Sequence, residues 1–529
     1  MKNIIRRLEL VFLGILMMLS SFHNITKAAE VTTDGVFRVG MEVNYAPFNW
    51  TQVDDKNGGY PISNSPGEYA NGYDVAMAKK IADGLGLKLE ILKIEWDGLI
   101  PALQSGKIDG IIAGMSPTEE RKKEIDFSSN YYSSDLVIVV KKGSPFEKAK
   151  NISDFKNAKI SAQLNTFHYE VIDQIQGVDK QDPLDSFSTL ILNTKTEKID
   201  GYVSERPGAL SATTADKDLT FVEFEEGGKF NTSAEDTSIA VGLRKQTPLT
   251  DKVNKVLEGI GEDEREKIME EKVLLQTESG DDEKTGFWTD VKDIWSEYKL
   301  LFLKGIGVTL ALAIVATTIG FFIGLIVAVI RSLKVKREHG IKYGLKKVLD
   351  FILTAYVEIF RGTPMMVQAI LIFYGIPYLF DIETNAMVTA FVVVSINTGA
   401  YLSEVVRGGI NSVDPGQMEG CKALGMTHGQ AMRYVIIPQA VRNIIPSIGN
   451  ELVVNLKDTA VLSVISVTEL FFVSRSVSGT TNKYFQTYII ILVIYFIITF
   501  SITRLIRFLE YRLFKVKNFK IESVTGGGN

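Results

Sequence analysis

Residues 306–330 form a run of 25 positions without a charged side chain, bounded by Lys304 and Arg331. About 20 predominantly apolar residues suffice for a helix to cross a bilayer, so this run commits the chain to a membrane. Further apolar stretches follow at 350–377, 386–406, 446–473 and 486–508, which predicts five spans. The second and fourth are less pure: one carries Glu358 with Arg361, the other Glu451 with Lys457 and Asp458. Charges at such depth face protein or water, which makes Glu404 and Glu451 candidates for a substrate site inside the membrane and nothing firmer. Between spans one and two lie Arg331, Lys334, Lys336, Arg337, Lys342, Lys346 and Lys347 against Glu338 alone, whereas the short loop 378–385 holds Asp381 and Glu383 and no base. Positive-inside bias therefore predicts 331–349, 407–445 and the C-terminus in the cytoplasm.

What precedes the first span is of opposite character. Residues 30–284 carry 30 basic and 46 acidic side chains, while 285–529 carry 24 and 16, so a total of −5 conceals a strongly acidic front and a basic, apolar back. That is unlike a nucleic-acid binder, whose bases gather on a soluble domain. With 46% hydrophobic residues it is also unlike a disordered chain. A single cysteine, Cys421, excludes an intrachain disulfide and any multi-cysteine metal site, and the four histidines are far apart in sequence, so no metal site is expected. Lys2, Arg6 and Arg7 precede an apolar run over 8–22 and a small-residue exit at Ala28 and Ala29, the layout of a secretory signal over 1–29. The alternative is a retained anchor; in both cases the following segment is exported.

The exported segment, 33–275, alternates short strands and helices, which predicts an α/β domain with largely parallel sheets and a ligand at the carboxyl ends of strands. Gly110 to Met115 reads as a strand leading into Ser116-Pro117-Thr118-Glu119-Glu120-Arg121, where Ser116 and Glu119 form a capping-box pattern. A helix N-terminus with hydroxyls and an arginine suits a carboxylate; an ordinary capped helix is the plainer reading. Residues 276–286 are polar and read as a linker. Trp288, Val291, Ile294, Trp295 and Tyr298 then recur at helical spacing, predicting an amphipathic helix over 288–300 on the membrane surface, or else a polar extension of span one.

Several ordered motifs in the exported half are similar to the amino-acid-binding proteins of ATP-binding-cassette importers. They are Tyr45-Ala46-Pro47-Phe48, Gly72-Tyr73-Asp74, Trp96-Asp97-Gly98-Leu99-Ile100-Pro101, the segment Ala113 to Arg121, Asp126-Phe127-Ser128, Tyr131-Tyr132 and Asp200-Gly201. The resemblance covers nearly all of 36–275 and departs at Ala76, where an acid is usual, and at Asn165, where glycine is usual. It implies two α/β lobes, periplasmic-binding-protein-like, joined by strands crossing near 133–140 and 237–243 and closing over a free amino acid. By the same resemblance Gly114, Ser116 and Arg121 hold the α-carboxylate with help from Thr166, Glu205 meets the α-ammonium, and Tyr45 and Trp96 sandwich the side chain. Glu42, after the first strand, is placed to meet a cationic side chain, or is simply a solvated strand-end acid.

In the membrane half, Glu419-Gly420-Cys421-Lys422-Ala423-Leu424-Gly425 followed by Ile437-Pro438-Gln439-Ala440 resembles the coupling loop of binding-protein-dependent permeases, here over 415–440. Gly425 permits a sharp break between two short helices, which then dock as one knob on a partner. With Glu358 to Pro364, Gln368 and Lys457-Asp458-Thr459-Ala460, the resemblance is to the polar-amino-acid permease branch and covers about 300–520. The fold expected for 301–529 is all-α, a five-helix transmembrane permease domain, with Glu419, Gly425 and Pro438 in ATPase coupling. Cys421 reads as a small packing residue.

No phosphate-binding G-x-x-x-x-G-K-[ST] sequence and no nucleophile–base pair occurs, so no catalytic residue and no cofactor is expected. The resemblance implies a separate cytoplasmic ATPase dimer, a homodimer of this chain, and membrane lipid around it. Two other protein classes share parts of this layout. A ligand-gated channel inserts its pore between the lobes and needs a filter, whereas here the spans follow a complete binding domain; an inward-signalling receptor needs an output domain after the last span. The acidic front domain and Glu42 favour a basic amino acid (arginine, lysine or histidine), with glutamine or another polar amino acid as the alternative.

Overall fold

The computed structural model describes residues 35–233, 235–279, 286–333, 340–380, 382–481 and 483–513. The expected secretory signal lies outside those residues, as do most of the expected linker and the chain beyond 513. The chain divides into two compact units: one contains the front half to Gly305 with 369–389 and 462–489, the other 306–368, 390–461 and the remainder from 490.

The first unit carries two lobes built alike. In lobe one the strands run, edge to edge, Lys88–Lys93, Val36–Met41, Gly110–Ile111, Ser238–Leu243 and Asp126–Ser133. In lobe two they run Asp179–Lys180, Lys159–Ser161, Gly201–Glu205, Leu136–Lys141 and Leu219–Val222. In both, the first two joints are parallel and the last two antiparallel, which corrects the expectation of largely parallel sheets. The cause is the two crossings: the chain leaves Asp126–Ser133 through Ser134 and Asp135 into Leu136–Lys141 of lobe two and returns into Ser238–Leu243 of lobe one, so each lobe receives one strand travelling against its βα units. The return crossing lies alongside, with Ser134 N–H donating to Thr237 O at 3.0 Å. Two neighbouring extended connections are the geometry of a hinge. Each lobe has its own core; in lobe two Phe155, Ile160, Val203 and Ile138 are fully buried together.

The helix expected to open at Pro117 begins later, at Glu119, and ends at Glu124. Thr118, not Ser116, is its cap: its hydroxyl accepts from Arg121 N–H, and Ser116 and Pro117 remain in the loop. Two hydroxyls compete for the cap position, and Thr118 lies one residue before two acids that suit the first turn.

The helix Phe287–Ser332 is a single element of 46 residues. The separate surface helix expected over 288–300 is therefore its front end. Nothing between Tyr298 and Lys304 breaks a helix, and Ile294, Tyr298, Leu301 and Phe302 form one buried stripe while Trp288 stays 71% exposed. The helix Glu262–Ser279 also runs through the first residues of the expected linker.

Among the described residues three helices, Phe287–Ser332, Ala386–Asn411 and Tyr484–Arg512, are long and apolar enough to cross a membrane, and two bent pairs raise the number to 5 if each pair is one span. One pair, Ile341–Gly362 with Met365–Phe380, turns through 109°. Its break is written as Thr363-Pro364: the residue before proline leaves the helical region, with φ −122° and ψ 145°. Gln368 repairs the break, donating its amide to Phe360 O at 3.1 Å and Thr363 O at 3.0 Å. Asn397 donates a second bond to Phe360 O at 2.9 Å. A broken helix survives in lipid only where its freed carbonyls find such donors.

Within the second unit, Gly320 and Gly324 pack against Thr398 and Ser403, where an added Cβ would approach to 2.8 Å. Asn455 ties three helices by donating to Thr317 at 2.8 Å and Thr398 at 3.0 Å. Glu404, one of the two acids noted in the sequence, is held by Arg331 at 2.6 Å and Arg407 at 2.9 Å.

Candidate functional site: an interlobe cleft and a helical knob

All eight residues expected to touch a ligand (Glu42, Tyr45, Trp96, Gly114, Ser116, Arg121, Thr166 and Glu205) line one small cavity between the lobes. Gln163, Phe167, His168 and Phe187 line it too, and sequence reasoning missed them. The cavity is narrow because side chains meet across it.

Gly114 ends the loop after Gly110–Ile111 at φ +63°, and a Cβ there would stand 3.2 Å from the Tyr45 ring. Glycine is required on both counts. Its amide is drawn to the carboxylate of Asp74, which also accepts from Tyr131 and Asn49, both at 2.7 Å. Burial nevertheless pushes the Asp74 carboxyl up to about 6, and the bonds from Tyr131, Asn49 and Gly114 limit the rise. Gly114 thus shapes the loop at the edge of the cavity.

Arg121 enters from the short helix after that loop. Its guanidinium donates to Ser116 O at 3.0 Å in its own lobe and to Asn165 O at 2.9 Å in the other, and lies 5.1 Å from the centre of the Trp96 ring. Burial lowers it to about 10, so it stays charged at neutral pH. Thr166 is buried with its hydroxyl donated to Gln163 O at 2.7 Å.

Glu205, at the end of Gly201–Glu205, is 2% exposed. One oxygen lies 2.9 Å from His168 Nε2. The other oxygen accepts from the Tyr45 hydroxyl. Burial pushes this carboxyl up, but His168 and the Tyr45 hydroxyl together more than reverse it and hold it below the usual range. Tyr45 stacks on Phe187 with ring centres 4.2 Å apart and on Phe48 at 5.1 Å. Tyr45 thus pairs with Phe187 across the cleft, and Trp96 with Arg121; both expected sandwich residues line the cavity.

Glu42 is 5% exposed, so its solvated alternative is excluded. Its Oε1 has no hydrogen-bond partner, and its Oε2 lies 3.5 Å from Gln163 Nε2. Burial pushes its carboxyl up to about 8, with Glu95 adding to the rise and Arg475 and Gln163 opposing it.

Asn165 stands where glycine was expected, at φ +58°. Asparagine tolerates this left-handed backbone, and its side chain donates across the cleft to Asp97 at 2.8 Å. Asn165→Gly keeps the turn and loses one exposed bond, so ligand affinity should fall by only about threefold. Asn165→Val strains the backbone by about 1–3 kcal/mol and should weaken binding further. Fluorescence titration of both variants checks this; equal affinities would refute the backbone argument.

The membrane unit carries a second constellation. Helix Pro415–Ala423, capped by Asp414, ends at Leu424, and Gly425 turns the chain at φ +75° into helix His428–Ala431, capped by Thr427 and Gln430. A π-helical turn then joins Ile437–Asp458, which begins with Pro438. Val413, Met432, Ile436 and Ala440 form the knob's own core. Cys421 is buried, whereas Glu419, Gly425 and Pro438 are exposed and Leu424 is 83% exposed at the tip.

Comparison with known proteins matches both halves. Residues 37–274 fit the bacterial extracellular solute-binding proteins, family 3, and residues 320–515 the binding-protein-dependent transport system inner membrane component. A probable amino-acid permease protein, YxeN of Bacillus subtilis, is 37% identical over 37% of this chain and 84% of its own length. A putative glutamine transport system permease protein of Rickettsia bellii is 35% identical over 41% of this chain and 94% of its own length. The arginine transport system permease protein ArtQ of Bacillus subtilis is 30% identical over 40% and 91%. Among solved structures, an amino-acid importer's binding protein from Streptococcus pneumoniae, bound to L-arginine, aligns over 46% of this chain and 96% of its own at 26% identity, TM-score 0.40. The protein is a membrane transporter component and not an enzyme; it belongs to the binding-protein-dependent inner membrane permeases of amino-acid ATP-binding-cassette importers, with a family 3 solute-binding domain fused ahead of the permease.

Proposed function

We propose that the cleft binds a free basic amino acid outside the cell and that the membrane unit, paired with a second copy of this chain, forms the path through which a cytoplasmic ATPase dimer drives it inward. The observation that carries the substrate is Glu42, a buried carboxylate with an unpartnered oxygen in the cavity. A guanidinium or ammonium supplies the donors that this oxygen lacks. Arg121 holds the α-carboxylate with the Thr166 amide. Glu205 holds the α-ammonium, which displaces the Tyr45 hydroxyl from it. The loop charges support an extracellular binding domain over 33–275 and a cytoplasmic C-terminus, with the knob 415–440 on the ATPase side.

Glutamine is the second reading. It is favoured by a Glu42 that holds its proton at neutral pH, since a protonated carboxyl donates to an amide oxygen, and by the names of several relatives.

Acidity separates the two. A cationic side chain favours the carboxylate, so Glu42 must release its proton on binding. Arginine affinity should therefore rise as pH climbs from about 6 to about 8 and level off above. Glutamine affinity should stay flat and then fall above about 8, as the donated proton is lost. Calorimetry of the full-length protein in buffers of different ionisation enthalpy reads the released proton directly. Arginine binding that releases no proton and ignores pH would overturn the role of Glu42.

A further inference from the structure

The helix Leu470–Thr481 lies in the same compact unit as the two lobes and touches both. Ser476 joins a buried network in lobe one, accepting from Lys93 at 2.6 Å and donating to Glu68 at 2.6 Å. Thr480 donates to Thr51 O at 2.9 Å. A Cβ at Gly479 would stand 3.2 Å from Asn44 in lobe one and 3.5 Å from Ser188 in lobe two. The backbone of this helix is thus seated against the edges of the closed cleft.

Arg475 is the charged residue on that face. Its guanidinium lies 3.1 Å from Glu95 of lobe one and 3.3 Å from Asp185 of lobe two. Both acids adjoin the cavity: Glu95 precedes Trp96, and Asp185 stands two residues before Phe187. Gln163 connects them to Glu42, with its amide 3.4 Å from Asp185 O and 3.5 Å from the Glu42 carboxylate. Three carboxylates therefore share one neighbourhood with one guanidinium, and that guanidinium comes from the permease half of the chain. The charge of Arg475 is felt at Glu42 as well as at Glu95.

We propose that Arg475 is a specificity-determining cation of the docked cleft, which competes with a cationic ligand side chain for the acids Glu42, Glu95 and Asp185 and so weakens the hold on a basic amino acid at the permease while leaving a neutral one untouched. This deepens the basic-amino-acid reading and rests on it. A site that attracts a cation strongly releases it slowly, since affinity differences reside mostly in dissociation. A second cation delivered by the membrane half raises the energy of the bound ligand only when the two halves are in contact. Like charges brought together in a desolvated place oppose each other far more than in water.

The test uses the full-length protein in lipid nanodiscs, titrated with L-arginine and L-glutamine. Arg475→Gln keeps a hydrogen-bonding side chain and removes the charge. It should tighten arginine binding about tenfold and change glutamine binding by less than about twofold. Arg475→Lys restores a charge and should return the arginine-to-glutamine ratio to that of the unaltered protein. A purely structural clasp would instead weaken both ligands together on Arg475→Gln, and that result overturns the proposal, as does no change in either ligand. Failure of the underlying reading looks different: the unaltered protein would then bind glutamine and not arginine. In that case Arg475→Gln must gain arginine binding for the proposal to stand, and its failure to do so overturns it.

Discussion

Arg121→Ala is expected to weaken amino-acid binding by at least about tenfold, for arginine and glutamine alike. Two N–H groups of Arg121 are spent on Ser116 O and Asn165 O, which fix the plane of the guanidinium, and the remaining ones face the cavity. A charge-assisted bond to a carboxylate in such a place is worth about 1.5–3 kcal/mol, and about 1.4 kcal/mol is tenfold. Arg121→Lys should recover little, because an ammonium cannot present the paired donors. The decisive ligand is L-argininamide, which lacks the carboxylate. It should bind the unaltered protein far more weakly than arginine, and Arg121→Ala should hardly change its affinity. If Arg121→Ala binds arginine as tightly as the unaltered protein, the carboxylate is held elsewhere.

Much of this cleft was legible in the sequence because its residues sit in short, ordered motifs. Tyr45, Trp96, Gly114, Arg121 and Glu205 each belong to a local pattern at the end of a strand, and the chain alternation says that strand ends converge. What no pattern carries is the partner that the tertiary fold brings in from a distant stretch of chain. His168 appears in the sequence as an isolated histidine, and only the fold brings it 2.9 Å from Glu205, 37 positions along the chain. Phe187 and Gln163 are equally silent: stacking on Tyr45 and bridging Glu42 to Asp185 are long-range events with no periodicity behind them. The misread helix starts have the opposite cause. Ser116 and Thr118 both satisfy the local rule for a cap, and the choice between them was made by the loop that Gly114 bends. Likewise the amphipathic stripe after Trp288 was correctly periodic, yet periodicity could not reveal that the helix continues unbroken into span one. Arg475 is equally silent, since an arginine between two apolar stretches reads as a lone charge until its acids from both lobes are in view.

The knob in the membrane unit makes the second large prediction: Gly425→Pro and Glu419→Lys should each abolish substrate-stimulated ATP hydrolysis by the assembled importer while leaving ligand affinity unchanged. Gly425 holds φ +75°, which proline's ring forbids, so the turn between Pro415–Ala423 and His428–Ala431 cannot form in the variant. The first short helix, which packs Met418 against the core of Val413, Met432, Ile436 and Ala440, is then displaced from it, and the exposed Leu424 no longer projects as a tip. Gly425→Ala is the graded control: space around the glycine is open, so only the left-handed backbone is penalised, by about 1 kcal/mol. It should retain most of the activity. Glu419 acts differently, being exposed on the first helix with no role in that core. Reversing its charge leaves the fold intact and removes complementarity to a partner surface, where like charges cost several kcal/mol. Arginine titration of both variants should match the unaltered protein, because the knob and the cleft share no residue. Coupled hydrolysis at the unaltered rate in Gly425→Pro would show that the ATPase docks elsewhere, and a parallel loss of ligand affinity would show that the substitution had damaged the fold beyond the loop.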